Sequence, residues 1–176
     1  MELVFPSTEY KDSFIMAVNE FKADTEVPLQ HGWYHELSIP ELEAYFESYV
    51  EREKSQARGE NLPEGYVPQT TYWLIDGEEF IGGVRIRHSL NERLKQIGGH
   101  IGYNIRPSKR RQGYGSNILQ LSLLKAKELG IDRVLLTCDV NNEPSRKIIE
   151  RNGGFLENQV PNPETGIDKA RYWIDV

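Results

Sequence analysis

The run Arg110-Arg111-Gln112-Gly113-Tyr114-Gly115 brings together cations, glycines and a helix start, the three things a bound phosphate uses. A strand that enters a helix through a glycine-containing turn exposes backbone N–H groups at the helix start, where the macrodipole also favours negative charge. Gly113 and Gly115 leave no Cβ in the way of a pyrophosphate, and Lys109, Arg110 and Arg111 put positive charge at its rim. Taken alone, the pattern also fits a tight turn with a solvated basic edge. Other phosphate motifs fit less well. The chain has no Gly-x-x-x-x-Gly-Lys-Ser/Thr, and Ile118 stands where the dinucleotide fingerprint needs its third glycine.

The elements around this turn follow from periodicity. Leu3 to Phe5 predicts a strand, and Ser7 is placed to cap a helix carrying Tyr10, Phe14, Ala17, Val18 and Phe21 at helical spacing. Ser38 and Glu41 form a capping box ahead of an apolar stripe of Ile39, Leu42, Phe46, Tyr49 and Val50. The period then changes: Thr71 to Ile75 and Phe80 to Ile86 predict a hairpin across Asp76-Gly77. Asn91 to Gln96 reads as a polar connection, Gly99 to Ile105 as a strand, and Ser116 to Leu129 as a largely buried helix stopped by Gly130. A strand from Arg133 to Cys138, a helix capped by Asn142 and two strands near Phe155 to Val160 and Ala170 to Ile174 complete the order. Hairpins with one strand–helix–strand crossover imply a three-layer α/β domain on a mixed, largely antiparallel sheet, spanning 1–176 as one unit.

Ile101-Gly102-Tyr103-Asn104-Ile105-Arg106-Pro107, followed by the basic turn, resembles the acetyl-CoA motif of GNAT N-acetyltransferases, written Arg/Gln-x-x-Gly-x-Gly/Ala. Asn142-Glu143-Pro144-Ser145 and the later Gly154-Phe155 resemble that family's Asn-x-x-Ser/Ala helix and closing Gly-Phe. The likeness is specific from about Gly99 to Phe155 and implies the GNAT fold, with acetyl-CoA as co-substrate and no metal. It further implies that Arg111, Gln112, Gly113, Tyr114, Gly115 and Ser116 bind the pyrophosphate through their N–H groups, with Arg110 at the rim. By the same resemblance Ile105 pairs with the pantetheine arm, and Asn142 and Ser145 touch the coenzyme. Asn142 is equally well explained as an N-cap, and the two roles are compatible.

The implied reaction is direct transfer of the acetyl group to a primary amine of a small molecule or peptide. The alternative is a non-catalytic acyl-CoA-binding regulator on the same fold. His100, on the strand before the turn and able to titrate near neutral pH, is the candidate base, or else a histidine that fills the sheet. Many family members place a tyrosine acid where this chain has Ile149; Tyr103, Tyr114, a bound water or solvent must then protonate the leaving thiolate. Trp33, Tyr34, His35, Tyr66, Tyr72 and Trp73 are either acceptor-pocket or core aromatics. Glu36, Glu41, Glu43 and Glu47 either attract a cationic amine or form a solvated helix face.

Composition narrows the classes. With 21 Lys+Arg against 27 Asp+Glu, the 176-residue chain is not built for sequence-independent nucleic-acid binding. Between Arg93 and Lys127 there is nevertheless no acidic residue, a basic island suited to a small polyanion. The single Cys138 excludes an internal disulfide and a cysteine-based zinc site. No signal-like start or bilayer-length apolar run is visible, so the expectation is a cytoplasmic protein with no membrane partner; a homodimer is left open.

Overall fold

A computed structural model describes residues 1–25, 37–60 and 62–176. Strands β1 (Glu2–Val4), β2 (Gln69–Asp76), β3 (Glu79–Arg87) and β4 (Ile101–Ile105) form an antiparallel sheet in that order. Strands β5 (Arg133–Asp139), β6 (Phe155–Val160) and β7 (Lys169–Asp175) form a second, in the order β5-β7-β6. The β2–β3 hairpin turns where Asp76-Gly77 predicts, with Gly77 at φ 62° and Asp76 opposite Glu79. The expected crossover is the step from β4 through α5 (Tyr114–Glu128) to β5.

Helices cover both faces. On one, α1 (Lys11–Ala23), α2 (Ile39–Ala44) and α3 (Phe46–Ser55) bury Phe14, Phe21, Leu42 and Phe46 against Trp73 and Phe80. The rings of Phe14 and Trp73 stack with centroids 4.5 Å apart, which fixes Trp73 as a core residue. On the other face α5 and α6 (Glu143–Arg151) set Ile118, Leu119, Ala126 and Ile149 against Leu74, Val84, Ile86, Leu136 and Tyr172. Tyr72 belongs to this second core. Among the described residues no helix is long and apolar enough to cross a membrane.

Some boundaries differ from the periodicity, each for a local reason. The apolar stripe after Ser38 is divided at Tyr45, whose φ of −113° and ψ of 25° break the helix into α2 and α3; the capping box itself is present. Asn91 to Gln96 is helical rather than a plain connection: the Asn91 side chain accepts from Leu94 N–H at 2.9 Å and caps α4 (Glu92–Gln96). The predicted strand from Gly99 begins only at Ile101, because Gly98 and Gly99 take φ values of 119° and 63°, outside the strand region.

The two sheets touch along a short seam. Gly99 bridges Leu136, His100 N–H donates to Leu135 O at 2.7 Å, and Gly98 N–H donates to Thr137 Oγ1 at 2.9 Å. From Ile101 onward β4 has β3 on one edge and no paired strand on the other among the described residues. The seam therefore opens toward Ile105 and the turn that follows it.

Candidate coenzyme and acceptor site

The turn after β4 presents donors. Pro107–Lys109 forms a single 3-10 turn, Arg110 N–H bonds back to Pro107 O, and the chain then passes through Arg111 at φ 60° and Gly113 at φ 88° into α5. Among the described residues nothing accepts from the N–H groups of Arg111, Gln112 and Gly113. Tyr114 and Gly115 open α5, where first-turn N–H groups have no intrahelical acceptor. Five consecutive donors thus line the turn and the helix start, with the helix dipole behind them. Ser116 differs from the expectation: its N–H donates to Gly113 O at 3.1 Å, and its hydroxyl accepts from Asn152 Nδ2 at 3.1 Å, which ties α5 to the end of α6.

The two glycines have separate reasons. A Cβ on Gly113 would meet nothing within 4 Å, so its space is open to a ligand and its left-handed φ is what requires glycine. A Cβ on Gly115 would stand 2.6 Å from Ile148 Cδ1, so Gly115 allows α5 and α6 to approach. The clearance expected of Gly115 is therefore used for helix packing.

The basic island is mostly neutralised by acids from distant parts of the chain. Glu20 on α1 accepts from Arg106 Nε at 2.7 Å and Ser108 N–H at 3.0 Å. Burial pushes the Glu20 carboxyl up, but these hydrogen bonds outweigh it and hold it below the ordinary range. Lys109 pairs with Glu79 at 2.6 Å. Arg110 pairs with the buried Asp24 at the end of α1 at 2.6 Å and donates to Ile105 O at 3.3 Å. Gln112 donates to Ser108 O, and the Tyr114 hydroxyl donates to Asp76 at 2.8 Å, which raises the phenol and fastens α5 to the β2–β3 hairpin. Arg111 alone of the turn's cations is exposed and free of an ion pair among the described residues.

At the seam the candidates separate. His100 is 9% exposed, and its Nδ1 accepts from Leu135 N–H at 2.9 Å. Burial, reinforced by Arg87, lowers the imidazole to about 4, so it is neutral at pH 7. His100 stands just before the regular part of β4, and its ring lies against the β5 backbone through the Leu135 hydrogen bond. Tyr103 lies on the α5–α6 face with its hydroxyl buried, and burial raises it to about 12. The Ser145 hydroxyl is near enough to bias both Tyr103 and the Cys138 thiol, though no well-aligned hydrogen bond to Tyr103 forms. Asn142 caps α6 by accepting from Ser145 N–H at 3.1 Å, and Ile149, 1% exposed, lies in the core. Tyr103, Cys138 and Ser145 therefore meet where β4, β5 and α6 converge.

The description "Acetyltransferase (GNAT) domain" matches residues 11–154. The chain belongs to the GNAT acetyltransferase family. No curated protein sequence matches it. Solved structures share this GNAT fold. The ribosomal-protein α-N-acetyltransferase RimL in complex with coenzyme A, held in a disulfide with one of its cysteines, superposes with a TM-score of 0.72 at 22% identity, covering 99% of this chain and 93% of that one. The Microcin C7 self-immunity acetyltransferase MccE in complex with acetyl-CoA and AMP gives 0.70 at 17% identity over 99% and 91%. An acetyltransferase of Salmonella typhimurium that modifies the N-terminal serine of a 50S ribosomal subunit protein gives 0.68 at 21% over 99% and 94%.

On this GNAT frame the expected acceptor residues scatter. Trp33, Tyr34, His35 and Glu36 lie outside the described residues. Tyr72 and Trp73 are core, Tyr66 is 56% exposed, Glu41 is spent in the capping box, and Glu43 and Glu47 are exposed. Sequence reasoning missed Asp24, Glu20, Glu79 and Arg87, whose roles depend on partners far away in the chain; the absence of acids within the basic island was the only hint that its partners come from elsewhere. No group of three or more His, Cys, Asp or Glu able to hold a metal occurs among the described residues.

Proposed function

We propose that the chain is an acetyl-CoA-dependent N-acetyltransferase that passes the acetyl group directly to a primary amine of a small molecule or peptide. The five unaccepted N–H groups from Arg111 to Gly115, at the mouth of the seam, carry this reading. They fit a pyrophosphate, and the exposed Arg111 adds the one uncompensated charge of the turn. The unpaired edge of β4, ending at Ile105, suits an extended amide-bearing arm, which can add to a free strand edge.

The coenzyme, when bound, supplies the acetyl thioester. Tyr103 then acts as the donor toward the sulfur: its raised pKa keeps it protonated, so it hydrogen-bonds developing negative charge. Ser145, at the start of α6, stands beside it. His100, neutral and already accepting from Leu135, holds the seam together, and removal of the amine proton falls to another group.

The test is release of free thiol from acetyl-CoA across a panel of primary amines, with calorimetry of acetyl-CoA alongside. Acetylated amine is the expected product. Tyr103→Phe should lower kcat by about 10²-fold, in line with loss of a charge-stabilising donor, and leave acetyl-CoA affinity unchanged. Tight binding with no thiol release from any amine would instead support an acyl-CoA-binding regulator, a reading that the buried Ile149 at the usual tyrosine position favours.

A further inference from the structure

The face of the first sheet opposite α5 and α6 carries a polar layer that the coenzyme site does not use. Cross-strand rows place Gln69 beside Arg87, and Thr71 beside Arg85 and Gly102. Most of this layer is internally satisfied. Arg85 Nη2 donates to both oxygens of the buried Glu53 at 2.9 and 2.8 Å, Thr71 Oγ1 donates to the same carboxylate at 2.9 Å, and Gln69 bonds Gln56 at 2.6 Å.

Arg87 is different. Its Nη1 donates to Gly98 O and Gly99 O at 3.2 and 2.9 Å, and no carboxylate pairs with it among the described residues. The guanidinium is half-buried, and burial, then the neighbouring Arg85, lower it to about 10, so it stays charged at neutral pH. An arginine carries five donors, and the two carbonyls engage only one of its three nitrogens. A half-buried cation without a counter-ion is a ready partner for an anion.

Its position gives that charge a use. Arg87 Nη1 is the sole heavy atom within 4 Å of where a Cβ on Gly102 would stand, at 4.0 Å. Gly102 immediately precedes Tyr103, whose side chain lies on the opposite face of β4, so the guanidinium lies across β4 from the proposed sulfur donor, against the Gly98 and Gly99 carbonyls of the seam. An amine approaching the acetyl group over Gly102 would meet the Arg87 guanidinium, the one group that stands near that glycine on this face.

Resting on the N-acetyltransferase reading, we infer that Arg87 is the specificity residue of the acceptor side and selects amines bearing a carboxylate or phosphate within a few bonds of the nitrogen. A planar guanidinium binds either anion in paired hydrogen bonds. The same positive charge disfavours a second cation beside it, which helps the acceptor nitrogen to stay neutral.

The experiment compares kcat/KM within matched acceptor pairs: alanine against alaninamide for carboxylate, phosphoethanolamine against ethanolamine for phosphate. At least one anionic member should be preferred by about 10-fold or more, since a charged hydrogen bond contributes about 1.5–3 kcal/mol; which pair shows it identifies the anion. Arg87→Gln should lower the anionic acceptor's kcat/KM by about 10- to 100-fold on the same scale and leave its neutral partner within about 2-fold; Arg87→Lys should recover part. Equal losses on both members, with a lowered melting temperature, would make Arg87 a clamp on Gly98 and Gly99 and overturn the inference. A second readout needs no turnover: the Arg87 Nε resonance should shift as acetate or inorganic phosphate is titrated into the wild-type protein. Absence of a shift with both anions would also overturn it, whereas a shift without acetylation of any amine would uphold the anion site and reject the N-acetyltransferase reading.

Discussion

Gly113 and Gly115 are two residues apart and equivalent in the sequence pattern, yet one faces open space and the other faces Ile148. Gly113→Glu should therefore fold, losing about 1–2 kcal/mol to its left-handed backbone, and should abolish acetyl-CoA binding by placing bulk and negative charge in the cradle. Calorimetry and a melting curve on the same sample check both halves. Arg110 and Arg111 diverge in the same way. Arg110→Glu should lower stability, because it opposes the buried Asp24. Arg111→Gly should remove rim charge and weaken acetyl-CoA while keeping or raising stability, since φ 60° suits glycine better than arginine. Equal melting temperatures for these two variants would refute the division. The residue types of the cradle were legible because phosphate chemistry demands them; the pairings were not, because Glu20 and Arg106 stand 86 residues apart in the chain and meet only after folding.

At the scale of elements, the seam between β4 and β5 departs from the strand expected to begin at Gly99. Two glycines with positive φ end the regularity of the strand just before His100. The imidazole instead occupies the place of a backbone acceptor for Leu135. With its folded-state pKa depressed to about 4, His100 contributes stability that is fully present above the unfolded value of about 6.5 and is lost as pH falls toward 4. His100→Phe should lose about 1–3 kcal/mol at pH 7.5, because Leu135 N–H is left buried without an acceptor, and should show a shallower decline between pH 6.5 and 4.5. Urea denaturation at several pH values reads this. Turnover per folded molecule should match wild type; a selective loss of the acidic limb of the rate profile would restore His100 as the base. Helix caps, the hairpin at Asp76-Gly77 and the α5 stripe were legible because each depends on neighbours within a few residues.

For the molecule as a whole, the arrangement is two sheets, each with its own neighbours, joined at one end by Gly98 to His100 and on one face by the core under α5 and α6. A ligand held at the Arg111–Gly115 cradle and extended along the edge of β4 would supply at the open end what backbone pairing supplies at the closed end. Any tight ligand raises the melting temperature by mass action: at about 100 times its Kd the gain is about 2.7 kcal/mol, or about 5–10 °C for a domain of this size. Thermal shift alone therefore says little about where the ligand lies. Amide hydrogen exchange does, because protection is local. Acetyl-CoA should slow exchange at Arg111 to Gly115 and also along Ile101 to Ile105 and at Leu136 to Cys138. Adenosine 3′,5′-bisphosphate plus inorganic pyrophosphate, which lack the pantetheine arm, should protect the turn and leave the seam unchanged. If both treatments protect the seam equally, the coupling runs through α5 and the sheet edge is not the arm's binding site; if acetyl-CoA protects neither segment, the cradle assignment fails with it.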